Sequence, residues 1–181
     1  MQNNPRLSLF VGASDGDDRL TEKSRSGYIF LLDKSPILWT SSIQKLPTLS
    51  STESELVALT DATRQNIWLR DLLSELHHLS AEPTITYEDN LSTILLVKNA
   101  SNNVRTRPLN RRRFFVQYEW FTSKSISILH CSESNQIADV LTKYTSKPVF
   151  QRHRDALLPP VANCEFISSR VGVDTRSRVF Q

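Results

Sequence analysis

The sequence has few of the cysteines and histidines that form disulfides in secreted proteins or bind zinc in structural metal sites. Its 181 residues include only two cysteines, Cys131 and Cys164, and no Cys or His pair at ligand spacing. This pattern argues against a disulfide framework and against a zinc site. There is no apolar run near the ~20 residues that cross a bilayer, and the start of the chain does not resemble a signal peptide. We therefore expect a soluble intracellular protein, cytoplasmic or nuclear, with no membrane partner.

Charge is present but unevenly distributed along the chain. Residues 1–99 carry 9 basic and 13 acidic side chains, a balance of −4, whereas residues 100–181 carry 13 basic and 6 acidic ones, a balance of +7. Such an asymmetry is typical of an acidic site beside a basic surface. The first requires cations and the second suits phosphate groups.

The order of apolar patterns predicts an α/β fold. Three β-prone runs (7–13, 28–33 and 36–42) precede one long helix, roughly 52–77, and shorter strands and helices then alternate. This order predicts a mixed five-stranded sheet flanked by helices, with the strand of Leu9 and Val11 at its centre. We expect one domain over 7–150. The pattern fades after it, so 151–181 is predicted to be a poorly ordered tail.

Glu55 is the most informative residue of the long helix. At 100° per residue it lies within 40° of Leu59, Ala62, Leu69 and Leu73, in the middle of the apolar stripe that faces the sheet. A carboxylate aimed inward is costly unless it is paired, protonated or bound to a metal. A competing interpretation is a capping box, in which Thr52 is the N-cap and Glu55 satisfies a backbone N–H.

Three further acids stand at the ends of predicted elements. Asp15 continues the inward parity of the first strand, Asp89 ends the strand ITYED, and Asp139 follows Asn135, the expected cap of a helix over 135–143. A single acid in such a position is usually a turn former or a helix-dipole partner. Four acids together are different, because central strands and the helix packed on them can bring their ends to one place.

Six segments resemble the ribonuclease H domain of copia-type LTR retrotransposons, which is the C-terminal part of their Pol polyprotein. They occur in the order of that family and at about its spacing, over roughly residues 7–150. The segments are SRSGYIFLL (24–32), PILWTSSIQK (36–45), LSSTESELVAL (49–59), ATRQNIWLRDLLSEL (62–76), YEDN (87–90) and NQIADVLTK (135–143).

The resemblance implies a ribonuclease H-like fold and metal-dependent cleavage of RNA in RNA–DNA hybrids during reverse transcription. It implies that four carboxylates hold two Mg²⁺ ions, or Mn²⁺ in their place. Matched by motif, these are Asp15, Glu55, Asp89 and Asp139. The partners it implies are an RNA–DNA hybrid and the reverse transcriptase or other parts of the polyprotein.

The sequence departs from the family pattern in two places. The string ASDGDD lacks the aromatic residues that flank the first acid in the family, which leaves Asp17 as an alternative to Asp15. In RTRPLNRRRFF, Pro108 and Phe114 stand where histidines are common. The same stretch holds five arginines that suit phosphate binding, although a solvated charged loop is the simpler interpretation. These arginines are Arg105, Arg107, Arg111, Arg112 and Arg113.

Three functions are compatible with these observations. The first is an active hybrid-cleaving ribonuclease, favoured because all four acids are present. The second is a degenerate, catalytically inactive transposon fragment that keeps the fold and binds nucleic acid, favoured by the altered motifs. The third is a structural domain that packs against a reverse transcriptase.

Overall fold

The computed structural model describes residues 5–18, 20–78, 81–99 and 107–158, with only the backbone for 107 and 108. Within these residues, no helix combines the length and the apolar character that a membrane span requires.

A five-stranded sheet forms the centre of the molecule, as the sequence predicts. The strands are β1 (Leu7–Ala13), β2 (Arg25–Leu32), β3 (Ser35–Ile43), β4 (Thr84–Glu88) and β5 (Ile126–His130). β2 pairs antiparallel with both β1 and β3, whereas β4 pairs in parallel with β1, and β5 in parallel with β4. The spatial order is β3-β2-β1-β4-β5, so the strand of Leu9 and Val11 is central.

Within the described residues, four α-helices and two short 3-10 helices surround the sheet. The predicted long helix is confirmed with a small shift of its ends. The helices are α1 (Ser51–Glu75), α2 (Leu91–Lys98), α3 (Arg107–Phe121) and α4 (Lys147–Leu157), and the 3-10 helices are Glu133–Asn135 and Ile137–Leu141.

The core lies between one face of the sheet and helices α1, α2 and α3. Alternate residues of β1 point to this face, and α1 covers them with Leu56, Leu59 and Ala62, all fully buried. Full burial of one large aliphatic side chain contributes about 1.5–3 kcal/mol. Because Leu9 pairs with Thr86 in the parallel register, the residues of β4 with the parity of Thr86 face the same helix. This parity determines which acids of β4 can meet α1.

Two segments differ from the sequence prediction. The helix expected over 135–143 is two 3-10 helices, and Gln136, not Asn135, caps the second by accepting from the N–H of Ala138. The chain also continues past residue 150 as α4, which has Pro148 in its first turn. The predicted domain end at 150 therefore falls inside a helix, and the rest of the expected tail, from 159, lies outside the described residues.

Candidate metal centre

The start of α1 leaves Glu55 free of a capping role. Ser50 is the N-cap, and its side chain accepts a hydrogen bond from the N–H of Glu53 at 3.2 Å. The Glu53 carboxylate in turn accepts from the N–H of Leu49 at 2.9 Å. The interpretation in which Thr52 caps the helix and Glu55 closes the capping box is therefore wrong, because Ser50 and Glu53 perform those tasks two residues earlier.

Glu55 faces the sheet, as its position in the apolar stripe predicts. It is only 5% exposed. Its carboxylate accepts a hydrogen bond from the backbone of Ala13 at the end of β1. Its Oε2 atom is buried and has no hydrogen-bond partner among the described residues. An inward carboxylate with an unsatisfied oxygen requires a proton or a cation.

The end of β4 brings two adjacent acids to Glu55. Glu88 is fully buried and Asp89 is half-buried. Glu88 accepts from the N–H of Asn90 at 3.1 Å, and Asn90 caps α2 by accepting from the N–H of Thr93 at 3.1 Å. One carboxylate oxygen from each of Glu55, Glu88 and Asp89 lies within 4.8 Å of the other two. We call these three residues the acid cluster.

Asp139 reaches the rim of the acid cluster from the Ile137–Leu141 3-10 helix. It is 8% exposed, and the Nζ atom of Lys143 lies 3.0 Å from its Oδ1. The buried side chain of Gln136 donates to the carbonyl of Val11 at 2.8 Å, which fixes this segment to the central strand.

The segment that carries Asp139 also packs directly on the backbone of β2. A Cβ atom added to Gly27 would lie 2.6 Å from Cγ2 of Thr142 and 2.9 Å from Cβ of Leu141. Both distances are shorter than real Cβ contacts, so only glycine fits at this position without displacing the segment.

Burial and mutual repulsion favour the protonated acids in this arrangement. Burial raises the pKa of Glu55 to about 8, and the charges of Asp89 and Asp139 act in the same direction. Burial, followed by the charge of Glu55, also raises the pKa of Glu88 well above its usual value. A bound cation would remove this repulsion and so favour the ionised form of the acids.

Two neighbours of the acid cluster respond to its charge. Burial raises the pKa of the Cys131 thiol to about 12, and Asp89 and Glu88 add to the effect. For Lys143, burial acts to lower the pKa, but the charge of Asp139 and the hydrogen bond to it, together with the charges of Asp89 and Glu55, outweigh burial, so the pKa is raised. The thiol is therefore held neutral and the ammonium held charged beside the acids.

Asp15 stands apart from the acid cluster. It is exposed in the turn after β1, and it is not among the described acids whose oxygens lie within 4.8 Å of each other. The alternative residue, Asp17, is also exposed and accepts from the Ser14 hydroxyl at 2.6 Å. Of the four acids chosen from the sequence, the structure brings together Glu55 and Asp89, with Asp139 at the rim.

The arginine stretch divides between solvent and core. Arg111 is exposed and Arg112 is half-buried, whereas Arg113 is 1% exposed. Arg113 donates to the carbonyl of Asn99 at 3.4 Å and stacks 4.7 Å from the ring centre of Phe114. Its guanidinium joins α3 to the end of α2 and is not open to a phosphate group. Arg105 and the side chain of Arg107 lie outside the described part of the chain.

Sequence reasoning missed Glu88 and Lys143. Glu88 continues the alternation of Thr84 and Thr86, all three of which are fully buried, so strand parity alone would have predicted that it faces α1. Lys143 follows Asp139 by four residues, a spacing at which opposite charges meet on a helix.

Comparisons of sequence find relatives among transposon polyproteins. The retrovirus-related Pol polyprotein from transposon TNT 1-94 of Nicotiana tabacum is 32% identical over 149 residues, 82% of this chain. That from transposon RE2 of Arabidopsis thaliana is 32% identical over 139 residues, 77% of this chain. The chain spans only 11% and 9% of the lengths of these two proteins. No family model matches the chain.

Comparisons of structure find ribonuclease H proteins. LC11-RNase H1, isolated from compost by a metagenomic approach, superposes with a TM-score of 0.57 at 11% identity, covering 76% of this chain and 93% of that one. The same enzyme in complex with an RNA/DNA hybrid gives a TM-score of 0.53 at 11% identity, covering 76% and 94%. At such low identity these matches establish the fold, and they confirm the predicted ribonuclease H-like architecture.

Proposed function

We propose that this chain, which is homologous to one segment of the retrovirus-related Pol polyproteins of transposons and has a ribonuclease H-like fold, is a metal-dependent endonuclease that cleaves RNA in RNA–DNA hybrids. The observation that carries the proposal is the convergence of three carboxylates from α1 and β4 at one end of the sheet. A structural neighbour of the chain was solved with an RNA/DNA hybrid, which supports the proposed substrate class.

A divalent cation fits the residues at this end of the sheet. Oxygen atoms are the ligands that Mg²⁺ and Mn²⁺ prefer. Two of the carboxylate oxygens, Oε2 of Glu55 and Oε2 of Glu88, are buried without a hydrogen-bond partner among the described residues. In the proposal Glu55 and Asp89 hold the metal, Asp139 holds it from the rim, and Asp15 approaches from the exposed turn. A pair of such ions would supply an activated water and stabilise the leaving oxygen.

The residues of this chain prepare the site for that chemistry. The backbone of Ala13 orients the Glu55 carboxylate, and the N–H of Asn90 orients that of Glu88. Lys143 holds Asp139 in place and lowers the net negative charge that an approaching phosphodiester meets. Exposed Arg111 and half-buried Arg112 supply charge for the backbone of the hybrid.

A direct assay tests the proposal. A labelled RNA–DNA hybrid is incubated with the protein and Mg²⁺, beside the variants Glu55→Gln and Glu53→Gln. We expect cleavage by the wild type and by Glu53→Gln, and a loss of about 100-fold or more in Glu55→Gln. Glu53 is the matched control because it lies on the same turn of α1 but serves the helix cap. Equal activity of the two variants would refute the proposal.

The exposed position of Asp15 favours one alternative function. If Asp15 does not join the acid cluster, the chain is a nucleic-acid-binding fold without catalytic activity. In that case the wild type would bind the hybrid in a filter-binding or anisotropy assay, and it would release no product at any Mg²⁺ or Mn²⁺ concentration. Packing against a reverse transcriptase remains part of the proposal as a partner, since the relatives of this chain are polyproteins.

A further inference from the structure

We propose that Glu88 is a direct ligand of the divalent cation, in addition to the four acids that the family resemblance supplies. This inference rests on the proposed function, because it concerns the same metal. It changes the composition of the site, which would then be centred on β4 and α1 and not on the turn after β1.

The register of the sheet places Glu88 opposite Glu55. Thr86 pairs with Leu9, whose side chain lies under α1, and Glu88 is two residues further along the same face of β4. Glu55 is the residue of α1 that reaches this end of the sheet, where it accepts from the backbone of Ala13. The two carboxylates therefore meet between the strand and the helix.

Neither carboxylate is fully satisfied by the described residues. Glu88 is 0% exposed, and its Oε1 accepts from Asn90 while its Oε2 has no partner among them. Oε2 of Glu55 is likewise buried and has no hydrogen-bond partner among the described residues. The ammonium group of Lys143 lies on Asp139 at the rim, where it forms an ion pair at 3.0 Å. Two facing carboxylates with unsatisfied buried oxygens are stable only with a cation or a shared proton between them.

The distances suit joint coordination of one ion. One oxygen of Glu88 lies within 4.8 Å of an oxygen of Glu55 and of an oxygen of Asp89. Mg²⁺ binds oxygen at about 2.1 Å, so two oxygens on opposite sides of the ion are about 4.2 Å apart. The three carboxylates therefore need only small side-chain movements to share an ion.

Metal binding by isosteric variants tests the assignment. Mn²⁺ affinity is measured by calorimetry on the full chain for the wild type, Glu88→Gln, Glu55→Gln and the control Glu53→Gln. Loss of groups around a metal site typically weakens binding about 10–100-fold, so we expect at least about a tenfold loss for Glu88→Gln. Glu53→Gln should stay within about twofold, since it acts away from the site. Thermal melts of each variant report whether it folds.

The outcomes separate this inference from the proposed function. Unchanged or tighter Mn²⁺ binding by folded Glu88→Gln, with binding lost in Glu55→Gln, would overturn the role of Glu88 and leave the proposed function standing. Such a result would mean that Glu88 only shares a proton with the carboxylate of Glu55 and does not bind the metal. Unchanged binding in both variants would remove the metal site of the proposed function as well.

A measurement on the wild type covers the case in which Glu88→Gln does not fold. The protein is made with glutamate labelled with ¹³C at the side-chain carboxyl, and pulsed electron–nuclear double resonance is recorded on bound Mn²⁺. Two coupled glutamate carboxyl carbons are expected if Glu55 and Glu88 both bind. A single coupled carbon would overturn the assignment.

Discussion

The acid cluster and the arginine stretch of α3 differ in how separation along the sequence relates to proximity in space. The acids come from α1 and from the end of β4, 33 positions apart between Glu55 and Glu88, and they meet in space. The arginines Arg111, Arg112 and Arg113 are consecutive, and they separate into an exposed, a half-buried and a fully buried side chain. Proximity in the sequence therefore does not by itself decide which charges act together, since the cluster joins the adjacent acids Glu88 and Asp89 to the distant Glu55.

The physical reason is the difference between the two periodicities. On a helix each residue turns by about 100°, so three consecutive side chains cover most of the circumference and cannot share one face. Strands and helices that run to the same end of a sheet bring single residues of fixed parity together. A charge run on a helix is thus divided between environments, whereas isolated acids at element ends converge.

The largest expected effect separates catalysis from binding. Asp89→Asn should lower the rate of hybrid cleavage by about 100-fold or more, because it removes a metal ligand of the proposed site. It should leave the affinity for the hybrid largely intact, since phosphate contacts come from basic residues. Single-turnover cleavage and anisotropy on the same preparation measure the two quantities. Full cleavage by Asp89→Asn would contradict the two-metal proposal.

Arg113 and Arg111 should differ sharply in their contribution to stability. Arg113→Ala removes a buried side chain, its hydrogen bond to Asn99 and its contact with the Phe114 ring, so we expect a loss of about 2–3 kcal/mol in the free energy of unfolding. Arg111→Ala, an exposed neighbour two residues away, should change it by less than about 0.5 kcal/mol. Urea denaturation of both variants makes the comparison, and equal losses would show that the two arginines share one environment.

The acid cluster should also make stability depend on pH in metal-free protein. The pKa of Glu55 is about 8 in the folded chain against an ordinary value of 4.5, so between these values the folded state binds more protons than the unfolded state. Stability therefore falls as pH rises from about 4.5 to about 8. The raised pKa values of Glu88 and Asp139 act in the same direction.

Urea midpoints measured with a chelator at pH 5, 6.5 and 8 test this dependence. Glu55→Gln should flatten the decline, because a neutral amide replaces the titrating group, while Glu53→Gln should keep it. Saturating Mn²⁺ should restore stability at the higher pH by binding the ionised carboxylates. The same decline in Glu55→Gln would contradict the assignment of the effect to the acid cluster.

The smallest expected effect concerns the arginines that face solvent. Each phosphate contact on a duplex contributes roughly −0.9 to the slope of log affinity against log salt. The double variant Arg111→Ala/Arg112→Ala should therefore flatten the slope by about 1–2 and weaken all hybrid sequences alike. Binding is measured from low to moderate salt, with the metal affinity of the same variant as the control. An unaltered slope would assign these arginines to a solvated helix surface.

Much of the fold could be predicted because its elements have strong periodicity. The central strand, the mixed sheet and α1 follow from alternation and from the apolar stripe, and the same stripe predicted that Glu55 faces inward. The helix α4 is not predicted from the sequence, because the apolar pattern fades from Pro148 onward. Proline in the first turn is compatible with a helix, since the first N–H groups have no partner within the helix.

The candidate site was less predictable than the fold. Glu88 was passed over because Asp89 and Asn90 carry the family motif, although parity places Glu88 on the buried face. The position of Asp15 depends on the turn after β1, where Gly16 has a φ of 60° and where two-residue alternation no longer applies. Which of the arginines are buried could not be predicted, because this depends on where α3 begins, and a charge pattern alone does not give the start of a helix.

The close contact at Gly27 has a consequence for how far relatives of this sequence can diverge. Most surface positions of a protein tolerate substitution. At Gly27 even a methyl group meets Thr142 at 2.6 Å, so it must displace the segment that carries Asp139 and Lys143. A residue with no side chain thus constrains the site as closely as an acid does, and a relative that lacks this glycine is expected to hold Asp139 in a different position.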